Sequence, residues 1–160
     1  MVHEPILKTI MKISIGSDHA GFEYKQAFVA MLREQGHEVI DCGTHSADST
    51  DYPIWCIPAA EKVAKGEAEK GIVVGGSGNG EAIAANKVKG IRCAIAWSEE
   101  TARLASQHNN ANVLSIGERM VPLETAKRLI DIWLSTPFEG GRHVNRIEEL
   151  ARYEAGQPMK

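Results

Sequence analysis

The sequence lacks the features of several protein classes. It has no apolar run near the roughly 20 residues of a membrane-spanning helix, and residues 1–10 lack the apolar core and cleavage pattern of a secretory signal. Its formal net charge of −3 gives no general attraction to nucleic acid or to anionic membranes. We therefore expect a cytoplasmic protein with no nucleic-acid or membrane partner, in which locally placed cations hold any bound anion.

Cysteine is also scarce. Cys42, Cys56 and Cys93 are odd in number, widely spaced and set in apolar surroundings. This pattern fits reduced core thiols better than a disulfide framework or a zinc site. We expect no metal and no cofactor.

The order of apolar and polar segments predicts the fold. The chain of 160 residues suffices for one domain with a core, and it shows no repeat, low-complexity segment or linker. A short apolar run, a turn cluster and a helical pattern recur about five times. This alternation predicts an α/β fold, a doubly wound parallel sheet of about five strands with helices on both faces. Ligands then bind beyond the carboxyl ends of the strands.

The stretch GIVVGGSGNGEAIAANK, residues 71–87, is the most unusual in the chain. It matches neither the phosphate-binding loop of nucleoside triphosphatases nor the dinucleotide fingerprint, because Glu81 stands where each motif needs another residue. Successive glycines followed by a helix start still offer backbone donors to an oxyanion. The alternative is a tight turn whose glycines serve packing alone.

Glu81 is the candidate catalytic group of this loop. A carboxylate beside neutral donors is suited to removing a proton next to a carbonyl group. The other side chains expected at the same sheet edge are Asp18, His19, Ser77, His108 and Asn109. Two structural alternatives stay open: an acid in the first turn of a helix favours the helix dipole, and His108 could cap a helix.

Three arginines near the end of the chain offer positive charge. Arg142 and Arg146 lie four residues apart, on one face if the segment is helical, and Arg119 follows the last predicted strand. Guanidinium groups suit a phosphate. The alternative is a solvated helix face paired with Glu148 and Glu149.

Six motifs, in order and spacing, together resemble one known family. They are SDHAG, DCGT, DYP, GGSGNGEAIAANKVKGIRCAIAW, HNNANVLSIGERM and RHVNRI. The chain resembles the type B ribose-5-phosphate isomerases, whose family also contains the galactose-6-phosphate isomerase subunits. The resemblance runs from about Met11 to Tyr153. Residues 1–10 are therefore predicted to be an N-terminal extension, ordered or disordered, and residues 11–160 the isomerase domain.

The resemblance implies a metal-free aldose–ketose isomerase on a Rossmann-like fold, acting through a cis-enediolate. It implies a homodimer whose active site is shared between the subunits and whose C-terminal helix docks on the partner subunit. A dimer of dimers stays open. By motif, Asp18 and His19 would contact the sugar and its phosphate, and His108 would open the furanose ring. The remaining implied contacts are the backbone of Gly76, Ser77, Gly78, Asn79 and Gly80 to the oxygens at the reacting carbons, Asn109 to a hydroxyl, and Arg119, Arg142 and Arg146 to the phosphate.

One position departs from the commonest pattern of the family. Many members place a cysteine base directly after the third strand, where this chain has Gly75. The resembling subgroup uses the glutamate of GGSGNGE instead, here Glu81, with Ser77 beside it. None of the three cysteines then needs a catalytic role.

Several functions remain open from the sequence. Ribose 5-phosphate and ribulose 5-phosphate are the favoured substrates, with tetrose phosphate isomerisation as the nearest rival and a hexose phosphate after it. A module that senses a sugar phosphate or nucleotide without turning it over would use the same glycines and arginines. A nicotinamide-dependent enzyme is disfavoured by the missing dinucleotide fingerprint.

Overall fold

The structure is a computed structural model, and it describes residues 9–160. The strands are β1 (Lys12–Ser17), β2 (Glu38–Asp41), β3 (Lys70–Gly75), β4 (Cys93–Ile95) and β5 (Val113–Gly117). The helices are α1 (Phe22–Glu34), α2 (Pro53–Ala64), α3 (Asn79–Asn86), α4 (Glu99–Gln107), α5 (Leu123–Ser135) and α6 (His143–Glu154). The extension predicted for residues 1–10 lies almost wholly outside the described residues.

The five strands form one parallel sheet in the order β2-β1-β3-β5-β4. The chain moves outward from β1 to β2 and then crosses back past β1 to β3. A crevice therefore opens at the carboxyl ends of β1 and β3, where ligands bind in open α/β sheets. The predicted doubly wound α/β fold is confirmed.

Each face of the sheet has its own core. Ile13, Ile72 and Leu114 pack against α1, α4 and α5, where Phe28 and Trp133 are fully buried. On the other face small residues let the helices approach closely. The Ser14 hydroxyl donates to the Ala59 carbonyl of α2 at 2.7 Å. Helices α2 and α3 therefore lie tight against the strands.

The three cysteines are free thiols associated with the face under α2 and α3, as predicted. Burial raises the pKa of Cys93 to about 12 and also raises that of Cys56 above its ordinary value. Such thiols are inert structural groups rather than nucleophiles.

Helix α6 differs from the other helices in its exposure. His143 is its one buried residue, whereas Leu150 and Tyr153 are exposed by 58% and 72%. Its last turn touches the body of the chain, where Glu154 accepts a hydrogen bond from the Gly90 N–H at 2.6 Å. Within residues 9–160 no helix combines the length and apolar character that crossing a membrane requires.

Candidate active site

The junction of β3 and α3 brings the Glu81 carboxylate back over the end of β3. A Cβ placed on Gly75 would overlap the carboxyl group of Glu81. Only glycine at position 75 leaves that space, so Gly75 and Glu81 form one spatial unit. The glycine and the acid singled out in the sequence thus depend on each other.

The glycine loop is held rigidly around this unit. Gly78 has a φ of +86°, in the left-handed region, and precedes the first residue of α3. The buried Ser115 hydroxyl donates to the Gly78 carbonyl at 2.7 Å. The Asn79 N–H donates to the Ser77 hydroxyl oxygen at 3.2 Å, and Ser77 is exposed. The loop is therefore formed before any ligand arrives.

Glu81 is only 4% exposed. Its Oε2 atom is buried and has no hydrogen-bond partner among residues 9–160. Burial raises the pKa of this carboxyl, the negative charge of Asp18 adds to the effect, and backbone hydrogen bonds at Glu81 and Gly78 oppose it. A buried carboxylate with an unpartnered oxygen is equipped to accept a proton.

Asp18 and His19 lie at the same edge, as predicted. Asp18 accepts hydrogen bonds from the Ala20 and Gly21 N–H groups at 3.0 and 3.1 Å, so it also shapes its own loop. His19 is exposed, and its Nδ1 accepts from the Thr50 N–H at 3.1 Å. This bond ties the loop after β1 to the loop after β2.

Arg119 joins them from the loop after β5. Its N–H donates to the Gly76 carbonyl at 3.0 Å. Its guanidinium lies over the glycine loop, because a Cβ on Gly76 would stand 3.1 Å from Arg119 Nη1. We call Asp18, His19, Gly75 to Glu81 and Arg119 the Glu81 group.

Two aromatic side chains border the Glu81 group and had no predicted role. The Tyr52 ring packs on Gly80, where an added Cβ would lie 2.7 Å from Tyr52 Cζ. The indole N–H of Trp55 donates to the Thr50 hydroxyl at 3.0 Å and fixes the same loop. The signal that could have found them is an aromatic pair beside a polar loop that follows a strand.

His108 and Asn109 lie elsewhere, and the expectation that they share an edge with Glu81 is wrong within one chain. Helix α4 runs back along the sheet, so the residues after it precede β5 instead of following a strand. The Asn109 carbonyl accepts from Arg92 Nε at 3.0 Å at this amino edge. The length of β5, about 16 Å, separates the two edges.

The start of α6 lies beside His108. The rings of His108 and His143 stack with centroids 4.2 Å apart, and Glu139 Oε2 lies 3.8 Å from His108 Nε2. Arg142 and Arg146 are exposed, and within residues 9–160 neither forms an ion pair, so the alternative of pairing with Glu148 and Glu149 is not observed. The His108 group consists of His108, Asn109, Glu139, Arg142, His143 and Arg146.

Comparison with known proteins identifies the family. A family model described as Ribose/Galactose Isomerase matches residues 13–150. The chain belongs to the ribose/galactose isomerase family. It is therefore an isomerase. The ribose-5-phosphate isomerase B of Mycolicibacterium paratuberculosis is 52% identical over 146 residues, which are 90% of this chain and 92% of that protein.

Solved structures of family members share the fold. Ribose-5-phosphate isomerase B of Clostridium thermocellum superposes with a TM-score of 0.90 at 46% identity, covering 91% of this chain and 99% of that one. The Mycoplasma genitalium enzyme, solved with bound ribulose 5-phosphate, gives a TM-score of 0.87 at 41% identity, covering 90% and 96%. The resemblance stated from the motifs is confirmed.

Proposed function

We propose that this isomerase interconverts ribose 5-phosphate and ribulose 5-phosphate. The support is the activity named for its relatives and the ribulose 5-phosphate bound in the Mycoplasma genitalium structure. A crevice bordered by backbone donors, a buried carboxyl and an arginine suits a small phosphorylated sugar.

In the proposed mechanism Glu81 carries one proton between two carbons. Its carboxylate removes the proton from C2 of the open-chain aldose, and the C2–H electrons form the C1–C2 double bond of a cis-enediolate. The electron pair of the C1 carbonyl moves onto O1 in the same step. The protonated Glu81 then returns the proton to C1, while the proton of O2 passes to O1, which leaves a carbonyl at C2 and a hydroxyl at C1. Donors in the loop from Gly76 to Gly80 hold the charge on the oxygens.

The single observation that carries the proposed mechanism, with Glu81 as the base, is the contact of the Glu81 carboxylate with Gly75. Glu81 Oε2 is buried without a partner among the described residues. A structural acid in the first turn of a helix gains from backbone donors, which Glu81 also has, but it needs no burial away from solvent, which costs stability. Its raised pKa brings the acid closer to the neutral pH at which a general base works.

We further propose that the working site is formed by two chains. The Glu81 group and the His108 group lie at opposite edges of one sheet, so a second copy must bring its own His108, Asn109, Arg142 and Arg146 to Glu81. Exposed apolar side chains on α3, after β4 and on α6 are available to bury in such a dimer, namely Ile83, Trp97, Leu150 and Tyr153.

In this arrangement the arginines fix the phosphate and the Glu81 group receives the reacting carbons. The distance between them then selects the length of the sugar. A tetrose phosphate would be the rival substrate if Arg119 alone holds the phosphate, since Arg119 lies against the glycine loop itself.

The test is proton NMR in heavy water with a chelator, on ribose 5-phosphate and in parallel on erythrose 4-phosphate. Ketose formation with deuterium incorporated next to the carbonyl, lost in Glu81→Gln and kept in Glu124→Gln, would support the mechanism. Glu124 is an exposed acid of α5 and serves as the matched control. Binding of both sugars without exchange or ketose would favour a sensing module instead.

A further inference from the structure

His108, Glu139 and His143 form a cluster of ligating side chains outside the Glu81 group. One ring nitrogen of each histidine and one carboxylate oxygen of Glu139 all lie within 4.8 Å of one another. We propose that these three residues bind a divalent transition-metal ion of the zinc type, and that the bound ion inhibits isomerisation by occupying His108. The inhibition, though not the binding, rests on the proposed function, in which His108 is part of the site shared by two chains.

Three segments of the chain hold the cluster together. The Glu139 N–H donates to the Gln107 carbonyl at 3.0 Å, which attaches the linker after α5 to the end of α4. Gly140 and Gly141, with φ of +72° and +57°, then turn the chain into α6. The His143 N–H donates to the Gly140 carbonyl at 3.2 Å. These backbone contacts therefore place the three side chains close together before any ion binds.

An independent observation points to a ligand at this place. His143 is only 7% exposed, and its Nε2 is buried without a hydrogen-bond partner among residues 9–160. A buried polar atom left unpartnered is costly, and a bound cation would satisfy it. The rings of His108 and His143 stack at 18° between planes, so their nitrogens are neighbours.

Charges around the cluster both favour and oppose a bound cation. The Glu139 carboxylate, with Oε2 3.8 Å from His108 Nε2, offers negative charge to a cation. His108 also follows the last turn of α4, where the carbonyl end of the helix attracts cations. The positive charges of Arg142 and Arg146 oppose the ion, so we expect micromolar rather than tighter affinity.

The donor set selects the metal. Two imidazoles and one carboxylate suit zinc and its neighbours, whereas magnesium and calcium prefer oxygen ligands. Tetrahedral bonds of about 2.1 Å place ligand atoms about 3.4 Å apart. The present separation of 3.8 Å between His108 Nε2 and Glu139 Oε2 is close to that value. Binding requires one imidazole to rotate out of the stack, and it leaves a fourth coordination position open.

The binding test is isothermal titration of the chelator-stripped full chain with zinc chloride. We expect one ion per chain and at least a tenfold loss of affinity in both His143→Gln and Glu139→Gln. The control Glu124→Gln should bind as the parent does. Because Glu139 is exposed, its variant should fold even if the His143 variant does not. Cobalt(II) gives a second readout, since its visible absorption reports tetrahedral coordination.

Absence of zinc binding by the parent chain, or undiminished binding in Glu139→Gln, would overturn the proposal. Turnover should fall as zinc fills the site and return on adding chelator, and unchanged turnover at full occupancy would overturn the inhibitory role. Zinc binding by a chain that shows no isomerase activity at all would support the metal site while contradicting the proposed function. The two failures are therefore distinguishable.

Discussion

The two edges of the sheet hold different kinds of chemistry. At the carboxyl edge Glu81 is buried, and backbone contacts through Gly75 and Gly78 fix its position. At the amino edge Arg142 and Arg146 are exposed and unpaired within residues 9–160. Contacts within its own chain hold the Glu81 group in place, whereas the His108 group presents two positive charges to its surroundings. This difference is the basis of our proposal that chemistry and phosphate binding come from different chains.

Removing the proton acceptor, Glu81, should have the largest effect on turnover, and this substitution changes only the carboxyl edge. Glu81→Gln keeps the shape of the side chain but cannot accept the proton, so we expect turnover to fall by about 10²- to 10⁴-fold. Sugar binding, measured by calorimetry, should change little. Turnover within tenfold of the parent would contradict the assignment of the base.

Displacing the same carboxylate without removing it should cost nearly as much. In Gly75→Ala the new methyl group takes the space of the Glu81 carboxyl. We expect turnover to fall by about 10²-fold, because small misplacements of a catalytic group are costly. Overpacking should also destabilise the chain by about 1–3 kcal/mol in chemical denaturation. Gly66→Ala, where an added Cβ has open space but φ is +76°, controls for the loss of a glycine.

A change at the amino edge should alter binding more than chemistry. Arg142→Ala should raise KM by about 10- to 100-fold, the worth of a charge-assisted hydrogen bond, with a smaller change in kcat. Inhibition by inorganic phosphate should weaken in parallel. Arg103→Ala, in α4, is the matched control. A loss confined to kcat would show that the arginine acts on the reacting carbons instead.

The pH dependence of stability and of activity should reveal the buried acid of the carboxyl edge. Because burial raises the pKa of Glu81, the folded chain takes up its proton at a higher pH than the unfolded chain does. The free energy of unfolding should therefore fall as pH rises from the ordinary value of 4.5 to the raised pKa, while kcat/KM rises over the same window. Glu81→Gln should lose this part of the stability profile and melt higher than the parent at neutral pH. A lower melting temperature would show that the ionised acid stabilises the fold.

Thiol modification should have the smallest effect, because the cysteines belong to neither group. Thiols with raised pKa values react slowly; Cys56 is buried, and Cys42 and Cys93 are half-buried. After iodoacetamide treatment, with the modified residue identified by mass spectrometry, we expect turnover close to that of the untreated chain. Loss of activity in a chain that remains folded would bring a cysteine into the mechanism.

The fold and most of the carboxyl edge could be predicted from the sequence, because local patterns determine them. The apolar run before Gly75 predicts a central strand, and polar loops after strands gather at one edge of a parallel sheet. The polar neighbours of His108 suggest the carboxyl edge, but helix α4 returns the chain to the opposite edge, so the sequence pattern misplaces His108. The close contact of Gly75 with the Glu81 carboxyl depends on the path of the Glu81 side chain, which no sequence pattern encodes.

Subunit complementation tests the shared site most directly. Glu81→Gln and His108→Asn chains, each nearly inactive alone, would be co-expressed in equal amounts and all the resulting dimers assayed together. If one site uses Glu81 of one chain and His108 of the other, half of the dimers are mixed and each has one intact site, so about one quarter of the parent activity should return. Activity no greater than the average of the two separate variants would contradict a site built from two chains.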